Sequence, residues 1–169
     1  MQIFFLDRML TPIGELVLVS DVQGQMRAVD WTDHEARLMK LLNIHYRGEF
    51  ALQIKTNPGG LTDLMQRYFA GELTVIDSMP VKTLGSEFQR TVWEQLRKIP
   101  GGETITYGEL AKRIGRPTAS RAVGMANGAN PISIVVPCHR VIGAQGTLTG
   151  YAGGLQRKQW LLKHEGFLP

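Results

Sequence analysis

The chain has 169 residues, a formal net charge of +4, 43% hydrophobic and 20% charged residues, and a single cysteine, Cys138. This suits a globular protein with one large core or two small ones, and one cysteine excludes both an internal disulfide framework and a multi-cysteine zinc site. No run approaches the roughly 20 apolar residues of a membrane span, and residues 1–8 lack a basic start followed by an apolar leader, so a reducing, cytoplasmic setting without membrane contact is expected.

The first half reads as strands at residues 2–9, 15–20 and 25–31, rich in Ile, Phe, Leu and Val and separated by the turn segments Thr11-Pro12-Ile13-Gly14 and Asp21-Val22-Gln23-Gly24. Thr32-Asp33-His34-Glu35 predicts a capping box that opens a helix to about His45. Asn57-Pro58 predicts a second helix start, with Leu61, Leu64, Met65 and Tyr68 on one face and Gly71 as its stop. A small sheet covered by helices is expected, serving as structural support. Pro80 and Gly85 place a boundary near residues 78–86, giving domains at 1–80 and 81–169. Charge changes there too. Residues 1–83 carry eight Lys/Arg against ten Asp/Glu, and residues 84–169 carry eleven against five. A polyanion facing the second half explains this asymmetry, and a solvated basic face explains it equally.

In the second half, Ser86-Glu87-Phe88-Gln89 predicts a capping box and a helix with Phe88, Val92, Leu96 and Ile99 on one face, ended by Pro100-Gly101-Gly102. A short extended piece at residues 103–105 leads to a third box, Thr106-Tyr107-Gly108-Glu109. The helix it opens meets a second one, residues 118–127, through Gly115-Arg116-Pro117-Thr118. Two short helices joined by a glycine-containing turn suit a helix-turn-helix or a plain antiparallel pair. The second helix is expected to bury Ala119, Ala122, Val123 and Ala126 and to expose Arg121, Gly124, Met125 and Gly128. A face that reads bases carries several Arg, Asn, Gln or Lys side chains. One cation among small residues instead suits close backbone approach to DNA with a single side chain inserted, or equally a tight helix–helix contact.

Asn130-Pro131 breaks the chain, and Ile132-Ser133-Ile134-Val135-Val136 predicts an apolar strand leading to Pro137-Cys138-His139-Arg140. A cysteine beside a potential base is a nucleophile candidate, because the thiolate is the attacking species. A glycine-rich segment with Tyr151 follows, and a final helix from about Leu155 runs through His164. Glu165 lies at the carboxyl end of that helix, where the dipole disfavours an anion. It follows Leu161 and Leu162 by four and three, which predicts burial and therefore a partner. Orienting His139 is one such role, and spacing leaves His164 as an alternative.

Pro137-Cys138-His139-Arg140-Val141 resembles the active-site signature of the O6-alkylguanine-DNA alkyltransferases. The similarity extends through Tyr107-Gly108-Glu109-Leu110-Ala111, Arg121-Ala122-Val123-Gly124, Asn130-Pro131 and Leu161-Leu162-Lys163-His164-Glu165-Gly166, in the family's order across residues 84–169. The whole-chain pattern, including Asn57-Pro58-Gly59-Gly60, looks most like the bacterial Ogt type. The resemblance implies an α/β (α+β) chain, with a ribonuclease H-like N-terminal sheet and helices and a winged helix-turn-helix-like C-terminal domain. It implies repair of O6-alkylguanine, and of O4-alkylthymine, by irreversible transfer to Cys138 after base flipping. Cys138, His139, Glu165, Tyr107 and Asn130 become the catalytic set. Arg121, Tyr107, Ser120 and Gly124 become DNA contacts, and Tyr107, Val141, Tyr151 and Ala152 line the base pocket. Within that scheme Arg121 fills the gap left by the flipped nucleotide, and His139, held by Glu165, takes the Cys138 proton through a water. The partner implied is double-stranded DNA met through the minor groove, by a monomer in solution with clustering on DNA as an option. No cofactor or metal is implied, since the zinc of some relatives needs cysteines that the first half lacks. Three rivals carry different signatures. A non-catalytic lesion binder lacks the nucleophile, a helix-turn-helix regulator needs base-reading side chains, and a cysteine hydrolase turns over.

Overall fold

The computed structural model describes residues 1–169, which form two compact units: residues 1–84 with 131–135, and residues 85–130 with 136–169. No helix is long and apolar enough to cross a membrane.

The first unit is a four-stranded sheet with helices. Strands β1 (Gln2–Thr11), β2 (Gly14–Asp21) and β3 (Met26–Trp31) form an antiparallel meander, and helix α1 (Glu35–Tyr46) crosses over to β4 (Phe50–Ile54), which pairs in parallel with β1. The sheet order is β3-β2-β1-β4, and with its helices it gives the N-terminal sheet-and-helix unit that the resemblance implies. The β1–β2 turn is fixed by the Thr11 hydroxyl, which donates to the Gly14 carbonyl at 2.6 Å and accepts from the Ile13 amide at 3.1 Å. Because successive side chains alternate across a sheet, Phe4, Val17, Val19 and Ala28 share a core with Leu38, Leu42 and Tyr46 of α1. The next residues in register, Leu16, Leu18 and Val29, are also buried. Helix α2 (Leu61–Phe69) packs on β1, its entry held by Asp7, whose carboxylate accepts from the Asn57 amide at 2.9 Å and the Thr62 hydroxyl at 2.6 Å.

The second unit is mostly helical: α3 (Glu87–Leu96), α4 (Tyr107–Arg113), α5 (Ser120–Gly128) and α6 (Leu155–His164), with a two-residue parallel pairing of β5 (Ile105–Thr106) and β6 (Val141–Ile142). Helix α5 packs on both α3 and α4, and the Trp93 indole N–H donates to the Ala126 carbonyl at 2.8 Å. The capping box at Ser86 is complete, each partner's side chain meeting the other's backbone amide. At α4 only half the box forms. The Thr106 hydroxyl accepts from the Glu109 amide, while the Glu109 carboxylate pairs with Arg113.

Four expectations are corrected. Residues 32–35 form no capping box, because Thr32 begins a 3-10 turn with its hydroxyl donating to Glu15, and Glu35 pairs with Arg8. The apolar run 132–136 is a buried turn rather than a strand. It touches the sheet through a single bridge, Val29 to Ile132, and bends at Ile134, which has φ +74°. That bridge makes residues 131–135 part of the first unit, so the second half is not one uninterrupted stretch, while the first change of unit, at 84/85, lies inside the 78–86 boundary region read from the sequence. On α5 the buried residues are Val123, Ala126 and Asn127, while Ala122 is exposed. Strand β4 and the 3-10 segment Leu73–Ser78 have no counterpart in the sequence reading.

These capping differences set two expected outcomes. Ser86→Ala should cost ~1 kcal/mol in urea unfolding through the lost cap. Thr32→Ala, where no cap bond exists, should stay within about 0.5 kcal/mol.

Candidate active site

The site is assembled in the second unit around a 3-10 turn, Cys138–Arg140. Cys138 is 8% exposed, and His139 and Arg140 are buried behind it. The turn is pinned from α5 and its exit. The Cys138 amide donates to the Val136 carbonyl at 2.8 Å, the Asn127 side-chain amide donates to the Cys138 carbonyl at 3.3 Å, and Asn130 donates to the Val136 carbonyl at 2.8 Å.

Glu165 caps the carboxyl end of α6 and is fully buried through its side chain. Its Oε2 lies 3.0 Å from His139 Nε2, which resolves the choice between Glu165 and His164; the His164 ring instead stacks on Trp160 at 4.7 Å. Arg140 closes on the same carboxylate with a fork, Nε to Oε1 at 2.9 Å and Nη2 to Oε2 at 2.8 Å, and its Nη1 donates to the Ile99 carbonyl at 2.6 Å. Burial alone would raise the Glu165 carboxyl, but His139 and Arg140 together hold it well below the usual carboxylate range. Burial likewise lowers the His139 imidazole, Glu165 pulls it up, and the Arg140 and Lys158 cations add to the lowering. A carboxylate can only accept, so Nε2 carries the hydrogen, and the neutral ring keeps its lone pair on Nδ1. Nδ1 is buried and has no protein hydrogen-bond partner. It is the free base of the site.

Lys158 is a second buried cation, fully enclosed, donating to the carbonyls of Val141 at 2.7 Å and Thr149 at 2.6 Å. It ties β6 to the glycine-rich segment after it. Burial brings its ammonium down to about 8, and the attraction of a Cys138 thiolate opposes that shift. Tyr107 opens α4, and its ring lies beside Gly124, where a Cβ would meet ring carbons at 3.7 and 3.8 Å. Its hydroxyl is 3.5 Å from the Thr149 hydroxyl. Ser120 and Arg121 form the first turn of α5, and Arg121 is exposed. Val141 is buried with its carbonyl already accepting from Lys158, and Tyr151 and Ala152 are half-buried in the segment before α6.

The structure therefore pairs His139 with Glu165, holds the Cys138 turn through Asn127 and Asn130, and seats Val141 on Lys158, with Tyr107, Gly124 and Thr149 as a second contact group. Sequence reasoning missed Arg140, Lys158 and Asn127. A signal for Lys158 was present: it precedes Leu161, Leu162 and Glu165 by three, four and seven residues, on the same stripe of α6. For Arg140 the signal was the buried carboxylate itself, which needs a cation as well as a histidine.

A buried cysteine, followed in the chain by a histidine that a buried carboxylate holds through Nε2, characterises the site. Residues 87–167 match the family described as 6-O-methylguanine DNA methyltransferase, DNA binding domain. Over 163 residues the chain is 57% identical to the methylated-DNA–protein-cysteine methyltransferase of Shigella flexneri, covering 96% of this chain and 95% of that one, and 58% identical to that of Salmonella typhimurium with the same coverage. Among solved structures it is similar to Mycobacterium tuberculosis OGT in complex with DNA, with 41% identity, coverage of 96% and 92%, and a TM-score of 0.77. The chain belongs to the methylated-DNA–protein-cysteine methyltransferases.

Removing the Glu165 charge leaves Arg140 buried and unpaired, so Glu165→Gln should destabilise the protein at neutral pH by about 3–5 kcal/mol. A carboxyl held below its ordinary value, 4.5, stabilises the fold fully above that value and loses this contribution as pH falls below it and through the lowered folded value. The stability gap between Glu165→Gln and the parent should therefore shrink below pH 4.5 in urea titrations; a gap that widens there contradicts the pairing.

Proposed function

We propose that this protein repairs duplex DNA by taking the alkyl group from O6 of guanine, and from O4 of thymine, onto Cys138. The observation that carries the reading is the buried His139–Glu165 pair next in the chain to Cys138, in a member of this family, together with a helix that exposes one arginine among small residues. The Cys138 thiol gives its proton towards His139 Nδ1, the acceptor left by the Nε2–Glu165 bond. The sulfur attacks the alkyl carbon in line with the C–O6 bond. An S–C bond forms, the C–O bond breaks, and its electron pair stays on the base. The Tyr107 hydroxyl donates to the departing base, which lowers the cost of that charge. The product is a thioether, and Cys138 is the chain's only cysteine. No second thiol can remove the alkyl group, so each molecule acts once.

A carbon inside a base stack is out of reach of a cysteine that is 8% exposed. The nucleotide must leave the duplex. Arg121, near the start of α5, enters from the minor groove and fills the gap, while Gly124 and Ser120 let the helix backbone approach the DNA closely. Tyr107, Tyr151, Ala152 and Val141 border the pocket that receives the base. Asn130 holds the turn between α5 and Cys138 through its bond to Val136. The protein binds as a monomer, in a reducing compartment such as the cytoplasm that keeps the thiol free.

Incubation with a duplex carrying one O6-methylguanine, followed by intact-mass analysis, should give a single methyl gain located on Cys138 and none in Cys138→Ala. An unchanged mass, or continued turnover, overturns the reading. Arg121→Ala should slow transfer from the duplex by about 100-fold or more while leaving reaction with the free alkylated base within about threefold, since only the duplex demands extrusion.

A further inference from the structure

We propose that Arg140 is a positioning residue for the alkyl transfer: it fixes both oxygens of Glu165 against the Ile99 carbonyl, so that the carboxylate orients His139 without drawing a second proton onto the ring. This rests on the function proposed above, in which His139 serves as the base.

Glu165 Oε2 is shared between His139 Nε2 at 3.0 Å and Arg140 Nη2 at 2.8 Å, and Oε1 takes Arg140 Nε at 2.9 Å. The guanidinium thus supplies a full compensating charge in a bidentate fork. Its remaining branch is anchored on Ile99, just before the turn Pro100-Gly101-Gly102. That same turn supports Glu165 from behind. Gly102 has φ +86°, and a Cβ there would come within 3.0 Å of the Glu165 carbonyl oxygen. Both members of the ion pair are therefore seated on one backbone segment at the end of α3.

The charge arrangement gives this seating its consequence. The ionisable groups acting on His139 are Glu165 and Lys158 from α6 and Arg140 from its own turn, with Cys138 adjacent in sequence. A lone carboxylate at 3.0 Å would favour the imidazolium, whose Nδ1 bears a hydrogen and accepts nothing. With Arg140 in place the pair is neutral as a whole, burial dominates, and the ring stays an acceptor. The carboxylate still sets the tautomer and the ring orientation.

The test is the single-turnover rate of methyl loss from O6-methylguanine duplex between about pH 5 and about pH 9, for the parent, Arg140→Gln and Arg140→Lys, together with the imidazole nitrogen resonances of the parent, His139 being assigned by difference from His139→Gln. Arg140→Gln should move the acid limb up by about one pH unit or more, with the rate recovering towards high pH. Arg140→Lys, which retains the charge but loses the fork, should lower the rate across the profile with the limb in place. An Arg140→Gln profile parallel to the parent's overturns the proposal. If that variant does not fold, the parent spectrum decides: a neutral Nε2–H ring at about pH 6 supports the proposal, and an imidazolium at about pH 7 overturns it. A parent that transfers no methyl group overturns the functional reading instead, and the spectrum still judges Arg140.

Discussion

A carboxylate with no solvent exposure is costly unless every lone pair is used, and the second unit is organised around meeting that requirement at Glu165. Three separate pieces of chain converge on it: the end of α6 that bears it, the turn carrying His139 and Arg140, and the end of α3, whose Ile99 carbonyl anchors the arginine. None of these contacts is local in sequence. The nearest bonded partner, Arg140, is 25 residues away. The bonds that fold this unit are thus also the bonds that aim His139, the proposed base. A substitution that loosens the carboxylate affects stability and chemistry together, and only pH-dependent measurements separate the two.

This arrangement also defines the kind of nucleophile Cys138 is. In a cysteine–histidine pair that rests as thiolate and imidazolium, the base is already charged. Here burial and two nearby cations, Arg140 and Lys158, keep the histidine low, and in the proposed reaction it is the acceptor of the thiol proton. Lys158 adds a positive charge that favours the sulfur anion, and it ties Val141 of β6 to Thr149 within the glycine-rich segment. Thr149 in turn contacts the Tyr107 hydroxyl, and Tyr107 packs on Gly124 of α5. Helix α5 and the glycine-rich segment are therefore linked through one tyrosine. The thiol is enclosed, and in the proposed reaction that enclosure is why the base has to be brought to it.

Much of this was legible in the residues. The three meander strands, the Ser86 cap and helix α6 follow from alternation, cap chemistry and helical spacing. Glu165 was marked by its misplaced charge at a helix end. The failures have physical reasons. The run at residues 132–136 is apolar and branched, as a buried strand would be, but period alone cannot distinguish a strand from a buried turn, and Ile134 adopts a positive φ that no propensity anticipates. Thr32 and Glu35 have the spacing of a capping box, yet each finds a partner distant in sequence, Glu15 and Arg8. Strand β4, Phe50–Ile54, is mostly apolar but only five residues long, too short for period alone to mark it as a strand. Arg140 was read as part of a motif, although its partners lie 25 and 41 residues away in sequence.

The most direct measurement is a crystal structure of the Cys138→Ser protein with duplex DNA containing one O6-methylguanine. The account predicts the modified guanine outside the stack, its methyl carbon in line with the residue 138 side chain, and the Arg121 side chain occupying the vacated position from the minor-groove side. A complex in which the lesion remains stacked in the duplex, or in which α5 lies in the major groove with Arg121 reading base edges, contradicts it.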